Sequence, residues 1–116
     1  MQNLARKYLN ENGKTEKDYY MWCASLCDEI TQTGDHVVYV DGDVDRDYPW
    51  AYHQVMMRNG FVHDAWHPNQ IEATPINKWL IDMFGPEAWV EVCIDGYDIF
   101  AGYCKNFQFG ALAKAA

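Results

Sequence analysis

The sequence predicts an α+β fold in which a helix packs on a small antiparallel sheet. Helical periodicity in residues 15–33 and two turn signals, Asn59-Gly60 and Asp95-Gly96, each between strand-like segments, support this class. A chain of 116 residues lies in the size range of one domain. We therefore expect residues 1–116 to form a single domain around one core, to which 49% apolar residues contribute.

Three segments have the pattern of helices. Residues 3–11 carry apolar side chains at helical spacing and are followed by a helix-stop signal. From Thr15 to Ile30, apolar residues recur at three- and four-residue steps, which predicts a helix that carries Cys23. Residues 75–84 begin with a proline and end before a glycine, as helices commonly do.

Five segments have the pattern of strands. The β-branched and aromatic run at residues 36–40 predicts the first strand. Two hairpins follow, each with a two-residue type I′ turn at one of the turn signals. Their strands are predicted at residues 49–57, 61–66, 88–94 and 97–104.

Charge and composition exclude several classes of function. The net charge of −8, with no local run of Lys or Arg, would repel a phosphate backbone, so nucleic acid is not an expected partner. Residues 1–12 have neither a secretory apolar region nor a spanning segment, and we expect a cytoplasmic protein without a membrane partner. The four cysteines are predicted to be reduced thiols: Cys23, Cys27, Cys93 and Cys104.

Cys23, His53 and Asp64 together have the side chains that cysteine hydrolysis needs. The reaction requires a thiolate nucleophile, an imidazole that takes and returns a proton, and a polar group that orients the imidazole. The predicted helix carries the cysteine, and the two strands of the central hairpin carry the histidine and the aspartate. The chain therefore contains a candidate catalytic triad.

Hairpin register predicts that His53 and Asp64 share one face. The turn pairs Arg58 with Phe61, and counting outward places His53 opposite Trp66. Asp64 is then a diagonal neighbour of His53, about 7–8 Å away at the backbone, so the two side chains can meet. On an otherwise apolar face, burying both groups would be costly unless they satisfied each other.

Two segments resemble the papain-like and transglutaminase-like cysteine enzymes in their smaller bacterial and phage-type forms. Residues 22–30, WCASLCDEI, are similar to that family's nucleophile helix, where a cysteine precedes small and apolar residues. Residues 52–66 are similar to its strand–turn–strand unit that carries histidine and aspartate. The resemblance covers about residues 18–67 and implies a single papain-like domain, with a nucleophile-bearing helix on a small antiparallel sheet.

The resemblance also implies roles for individual residues. Cys23 would be the nucleophile, His53 the general base and acid, and Asp64 the residue that orients the imidazole. A glutamine that supplies an oxyanion donor commonly precedes the cysteine in papain-like enzymes, and none is found there in this chain. Independently of the resemblance, three tryptophans are candidates for lining a substrate groove, and the spacing of two of them relative to His53 favours those two, Trp50 and Trp66, over Trp22.

Two patterns superficially suggest metal binding, and neither predicts a site. His63 and His67 stand four apart, but at a predicted strand end they would not share a face as they would on a helix. The alternating aspartates in residues 41–47 lack the glycine and the glutamate that an EF-hand loop places at its sixth and twelfth positions. We expect a solvated loop there, and neither a metal nor a cofactor.

The sequence thus predicts a thiol-dependent hydrolase or acyltransferase, within which a cysteine peptidase or amidase leads. Its substrate would be a peptide or another amide or ester. The alternative is a catalytically inactive acidic binding or inhibitor protein on the same fold, of a kind that a phage could encode, that occupies a basic protein surface. Cysteine reactivity distinguishes the two, because only the enzyme should have one thiol that alkylates fast at neutral pH.

Overall fold

A computed structural model of the chain describes residues 1–19, 23–42 and 52–108. These residues form an α+β fold with three α-helices and a curled, six-stranded antiparallel sheet, so the predicted class is confirmed. Trp22, Trp50 and most of the acidic loop lie outside the described residues. No helix in the described part of the chain is both long enough and apolar enough to cross a membrane.

Helices and strands alternate irregularly along the chain. The α-helices are α1 (Leu4–Glu11), α2 (Cys23–Ile30) and α3 (Ile76–Phe84), and short 3₁₀ helices cover Glu16–Tyr19 and Cys104–Asn106. The strands are β1 (His36–Gly42), β2 (Tyr52–Arg58), β3 (Phe61–His63), β4 (Thr74–Pro75), β5 (Trp89–Ile94) and β6 (Tyr97–Tyr103). In the sheet they lie in the order β4–β3–β2–β1–β5–β6, each antiparallel to its neighbours.

Both predicted hairpins are present. Asn59 and Gly60 have φ values of 54° and 81°, and Asp95 and Gly96 have 52° and 85°, as a type I′ turn requires at its two central residues. Asparagine, aspartate and glycine tolerate positive φ better than other residues, which is why these dipeptides mark the turns. The local chemistry of the sequence therefore determines both hairpins.

The central hairpin has the predicted register but a shorter ladder. Arg58 pairs with Phe61 as expected, and pairing ends at Met56 with His63. The ladder does not continue to the predicted pairing of His53 with Trp66, because the chain turns away after His63. Half of β2 is consequently left without a β3 partner along that edge.

Helices cover the two faces of the sheet, and α3 covers the face that holds the larger core. Val38 and Val55 on this face pack with Trp79 and Leu80 of α3, and all four are buried. The other face of β2 and β3 is covered by α1 and α2. Because side chains alternate along a strand, residues of β2 contribute to both sides.

The segment before α2 differs from the single helix that the periodicity predicts. Residues Glu16–Tyr19 form a 3₁₀ helix, and the α-helix is described from Cys23 to Ile30. The periodicity itself is sound, since Leu26 and Cys27 are buried on the face of α2 that meets the rest of the protein. Cys23 accordingly lies in the first described turn of α2, whereas a helix from Thr15 would place it two turns from the start.

Candidate active site

The early end of β3 provides the position that Cys23 occupies. The backbone N–H of Gln54 in β2 donates to Cys23 Sγ at 3.4 Å, on the side where β3 no longer pairs. A backbone N–H in the middle of a sheet normally bonds to the neighbouring strand. Here the sulfur atom of α2 takes the place of a strand carbonyl as the acceptor.

His53 lies next to both other members of the predicted triad. Its Nε2 is 3.0 Å from Oδ1 of Asp64, and the ring also interacts electrostatically with the Cys23 side chain. Nε2 faces the carboxylate, so Asp64 fixes the orientation of the ring. The structure therefore brings together the cysteine, histidine and aspartate that the sequence singles out.

Asp64 is fully buried and accepts three hydrogen bonds through its carboxylate. Oδ1 accepts from His53 and from the backbone N–H of Trp66 at 3.0 Å, and Oδ2 accepts from the indole N–H of Trp79 at 2.9 Å. The side chain of Asn3 also donates to the backbone oxygen of Asp64 at 3.0 Å. Donors on both oxygens hold the carboxylate in one orientation and offset much of the cost of burying it.

The environment of Cys23 favours its thiolate. Burial alone would raise the thiol pKa, but the interaction with His53 and the N–H groups of Gln54 and Ala24 outweigh it, so the pKa of Cys23 is lowered. Charge-assisted hydrogen bonds to the anionic form are the reason. The thiolate is the reactive form of cysteine in nucleophilic chemistry.

The environment of His53 favours its imidazolium. Burial lowers the pKa of the ring, but the charge of Asp64, its hydrogen bond and the interaction with Cys23 together raise the pKa to about 9. In the same pair, burial opposes ionisation of Asp64, and the nearby His53 charge keeps the carboxyl pKa below its usual value. A thiolate, an imidazolium and a carboxylate are thus mutually stabilising in this order.

Aromatic rings enclose the imidazole of His53. Trp66 contacts it edge-on with ring centroids 5.3 Å apart, and Trp79 lies nearly parallel to it at 6.1 Å. His53 is only 1% exposed, whereas Trp66 is half-buried and packs against the main core and against a smaller buried cluster that includes Leu9 and Leu26. Of the three tryptophans suggested for a substrate groove, Trp66 is the one within the described residues, and it lies beside the candidate site.

Cys27 and Cys93 have environments that disfavour the thiolate. Cys93 donates from Sγ to Oδ1 of Asp98 at 2.9 Å, and this carboxylate raises the thiol pKa to about 11. Burial raises the pKa of Cys27, and Cys104 is buried in the main core. All four cysteines are free thiols; the pKa of Cys23 is lowered, whereas the pKa values of Cys27 and Cys93 are raised.

The two histidines of the zinc-like pattern are bound by other groups. His63 Nδ1 accepts from the backbone N–H of Leu4 at 2.9 Å, and His67 Nε2 lies 2.8 Å from Oδ2 of Asp82. Within residues 1–19, 23–42 and 52–108, no group of three or more metal-ligating side chains is placed to hold an ion.

Sequence reasoning missed two contributors to the site. The helical pattern of residues 75–84 gives Trp79 no role at the site, although its indole N–H supports Asp64, because such a pattern does not show where a side-chain N–H will point. Gln54 contributes through its backbone, so its side chain carries no signal of that role.

Comparison with family models, with curated proteins and with solved structures gave no match to this chain.

Proposed function

We propose that the protein is a thiol-dependent hydrolase or acyltransferase of papain-like type that acts on an amide or ester carbonyl. Cys23 is the nucleophile, His53 the acid and base, and Asp64 the residue that holds the imidazole. The His53–Asp64 hydrogen bond, together with an electrostatic interaction between His53 and Cys23 that lowers the thiol pKa, is the observation that supports it most strongly.

The chemistry follows from the protonation states of the three groups. The Cys23 thiolate attacks the carbonyl carbon, a C–S bond forms, and the carbonyl oxygen becomes an oxyanion. As this intermediate collapses, the bond to the leaving amine or alcohol breaks and His53 gives it a proton. Water or an amine then attacks the thioester, His53 takes its proton, and cleavage of the C–S bond restores the thiolate.

The Asp64 carboxylate keeps the imidazole in the orientation that both steps need. Its bond to Nε2 leaves Nδ1 as the nitrogen that exchanges a proton with the reacting groups, and it stabilises the positive charge that the ring carries before it donates. Two donors hold the carboxylate itself: the backbone N–H of Trp66, in the segment between β3 and β4, and the indole N–H of Trp79 in α3. Such support is what distinguishes a catalytic pair from two polar groups in chance contact.

Alkylation kinetics test the proposal without knowledge of the substrate. The protein is treated with iodoacetamide at pH 7, and modification of each cysteine is followed by peptide mapping. Cys93 is more exposed than Cys23, yet its pKa of about 11 should give it a thiolate fraction about 100-fold smaller than that of an ordinary thiol of pKa near 9. We expect Cys23 to react at least about tenfold faster than Cys93.

Two variants complete the experiment. Cys23→Ala should abolish the fast phase, and Cys93→Ser should leave it unchanged. If Cys93 reacts first, or if all four thiols react slowly in the folded protein, the hydrolase proposal is wrong. Uniformly slow labelling is the behaviour of the alternative, an inactive acidic binding protein on the same fold.

A further inference from the structure

An open part of the sheet lies next to the candidate nucleophile. Along β1, Val38 and Val40 point into the core, so Tyr39 and Asp41 point to the opposite face. Helices α1 and α2 cover that face over β2 and β3. Tyr52 is 45% exposed there and Asp41 is also exposed, so substrate can reach these side chains.

Strand pairing brings this face to the sulfur of Cys23. Tyr39 pairs with Gln54, whose backbone N–H donates to Cys23 Sγ, and the two residues share a face. The rings of Tyr39 and Tyr52 are stacked, with centroids 5.5 Å apart and planes 21° from parallel. One ring of the stack, that of Tyr39, therefore belongs to the residue directly opposite Gln54, whose backbone N–H binds the Cys23 sulfur.

Two carboxylates, those of Asp41 and Glu91, lie beside the stacked rings. Asp41 is directly opposite Glu91 of β5 and directly opposite Tyr52 of β2, and the Tyr39 hydroxyl lies 3.5 Å from Oδ1 of Asp41. Like charges at directly opposed positions destabilise a sheet. Among the described residues, no Lys, Arg or His forms an ion pair with Asp41 or Glu91.

We propose that the tyrosine stack with Asp41 and Glu91 is the specificity subsite of the Cys23 site and that it binds a cationic side chain of the substrate, an ammonium or a guanidinium. The inference rests on the proposed function and names the substrate class. A cation placed on the exposed Tyr52 ring gains cation–π attraction and at the same time relieves the repulsion between the two carboxylates. A neutral or anionic group gains neither.

The raised pKa values of Tyr39 and Cys93 agree with a negative electrostatic potential at this site. Burial and the charge of Asp41 raise the pKa of Tyr39, and the Cys23 thiolate adds to the effect. Asp41 and Glu91 both contribute to the raised pKa of Cys93, after Asp98 and burial. The same field that disfavours these anions favours a bound cation.

Thiol reagents that differ in charge test the subsite directly. In a Cys93→Ser background, Cys23 is modified by methanethiosulfonates that carry a trimethylammonium group, a neutral methyl group or a sulfonate. Each rate constant is divided by that for a small free thiol, which removes the intrinsic reactivity of the reagent. At low salt we expect the cationic reagent to exceed the anionic one by at least about tenfold, with the ratio falling as salt is added.

Matched variants separate the subsite from the overall charge of the protein. The double variant Asp41→Asn, Glu91→Gln should reduce the cation preference severalfold, and Tyr52→Leu should reduce it while both carboxylates remain. Glu72→Gln, next to the edge strand on the far side of the sheet, removes one negative charge and should change the ratio little. All four positions are exposed, so these substitutions should leave the fold intact.

The outcomes distinguish this inference from the proposed function. Fast modification of Cys23 by the neutral reagent, with no preference among charges, would overturn the subsite and leave the hydrolase proposal standing. An equal loss of preference in Glu72→Gln and in the double variant would also overturn it, since the effect would then be one of net charge. Slow modification by every reagent would overturn both.

Discussion

Trp79 donates its indole N–H to Oδ2 of Asp64 at 2.9 Å, and helix α3 thereby supports the carboxylate that orients His53. The two residues are 15 positions apart and come from the helix and from the segment just after β3. Trp79 is 0% exposed and also packs in the main core. One side chain therefore contributes both to stability and to the geometry of the site.

Trp79→Phe should separate those two contributions. The substitution keeps an aromatic ring but removes the donor, leaving a buried carboxylate oxygen without its partner, which costs about 1–3 kcal/mol in the free energy of unfolding. We also expect slower alkylation of Cys23, measured beside urea denaturation. Trp89→Phe is the control, because Trp89 is 49% exposed and lies away from the carboxylate. Equal behaviour of the two variants would contradict the role given to Trp79.

Asp64→Asn should reduce the reactivity of Cys23 at neutral pH. The carboxylate charge and its hydrogen bond are the largest of the effects that raise the His53 pKa against burial, and an amide supplies neither a negative charge nor the same preference for the imidazolium. A loss of one pKa unit corresponds to about tenfold, so we expect at least a tenfold slower alkylation at pH 7. Asp82→Asn, which alters the separate pair with His67, should leave the rate unchanged.

The His53–Asp64 pair should make stability depend on alkaline pH. Because the folded-state pKa of His53 is raised from 6.5 to about 9, its contribution is complete below pH 6.5 and is lost as the pH rises through about 9. Urea denaturation at pH 6.5, 8 and 9.5 measures the effect. In His53→Gln, the decline across this window should be smaller, and an identical decline would show that other groups cause it.

Acid should destabilise the protein through His63. Burial, with a smaller effect from Arg58, lowers the His63 pKa to about 4, so between pH 6.5 and 4 the unfolded chain takes up a proton that the folded protein does not. Stability therefore falls as the pH drops through that range. His63→Asn keeps an acceptor for the Leu4 N–H but does not titrate, and its urea midpoint should fall less between pH 7 and pH 4.5. Parallel pH profiles for the two proteins would rule this out.

Much of the site could be predicted because its central pair is set by local chemistry. Asn59-Gly60 permits the type I′ turn, the turn sets the register, and the register places His53 and Asp64 on one side of the hairpin. The continuation of the ladder to Trp66 was wrong, because the pattern of strand-like residues does not show where the chain leaves the sheet. The side-chain contact was nevertheless predicted, since the diagonal positions remain close.

Long-range packing decided what the sequence could not. The segment that contains Cys23 has helical periodicity by itself, but its sulfur accepts from Gln54 only because β3 ends early and leaves that N–H available. The tryptophan that supports Asp64 comes from α3, and the tyrosine stack depends on the pairing of β1 with β2. Turn and strand preferences are properties of neighbouring residues, whereas a thiol pKa depends on the groups that folding brings around the sulfur.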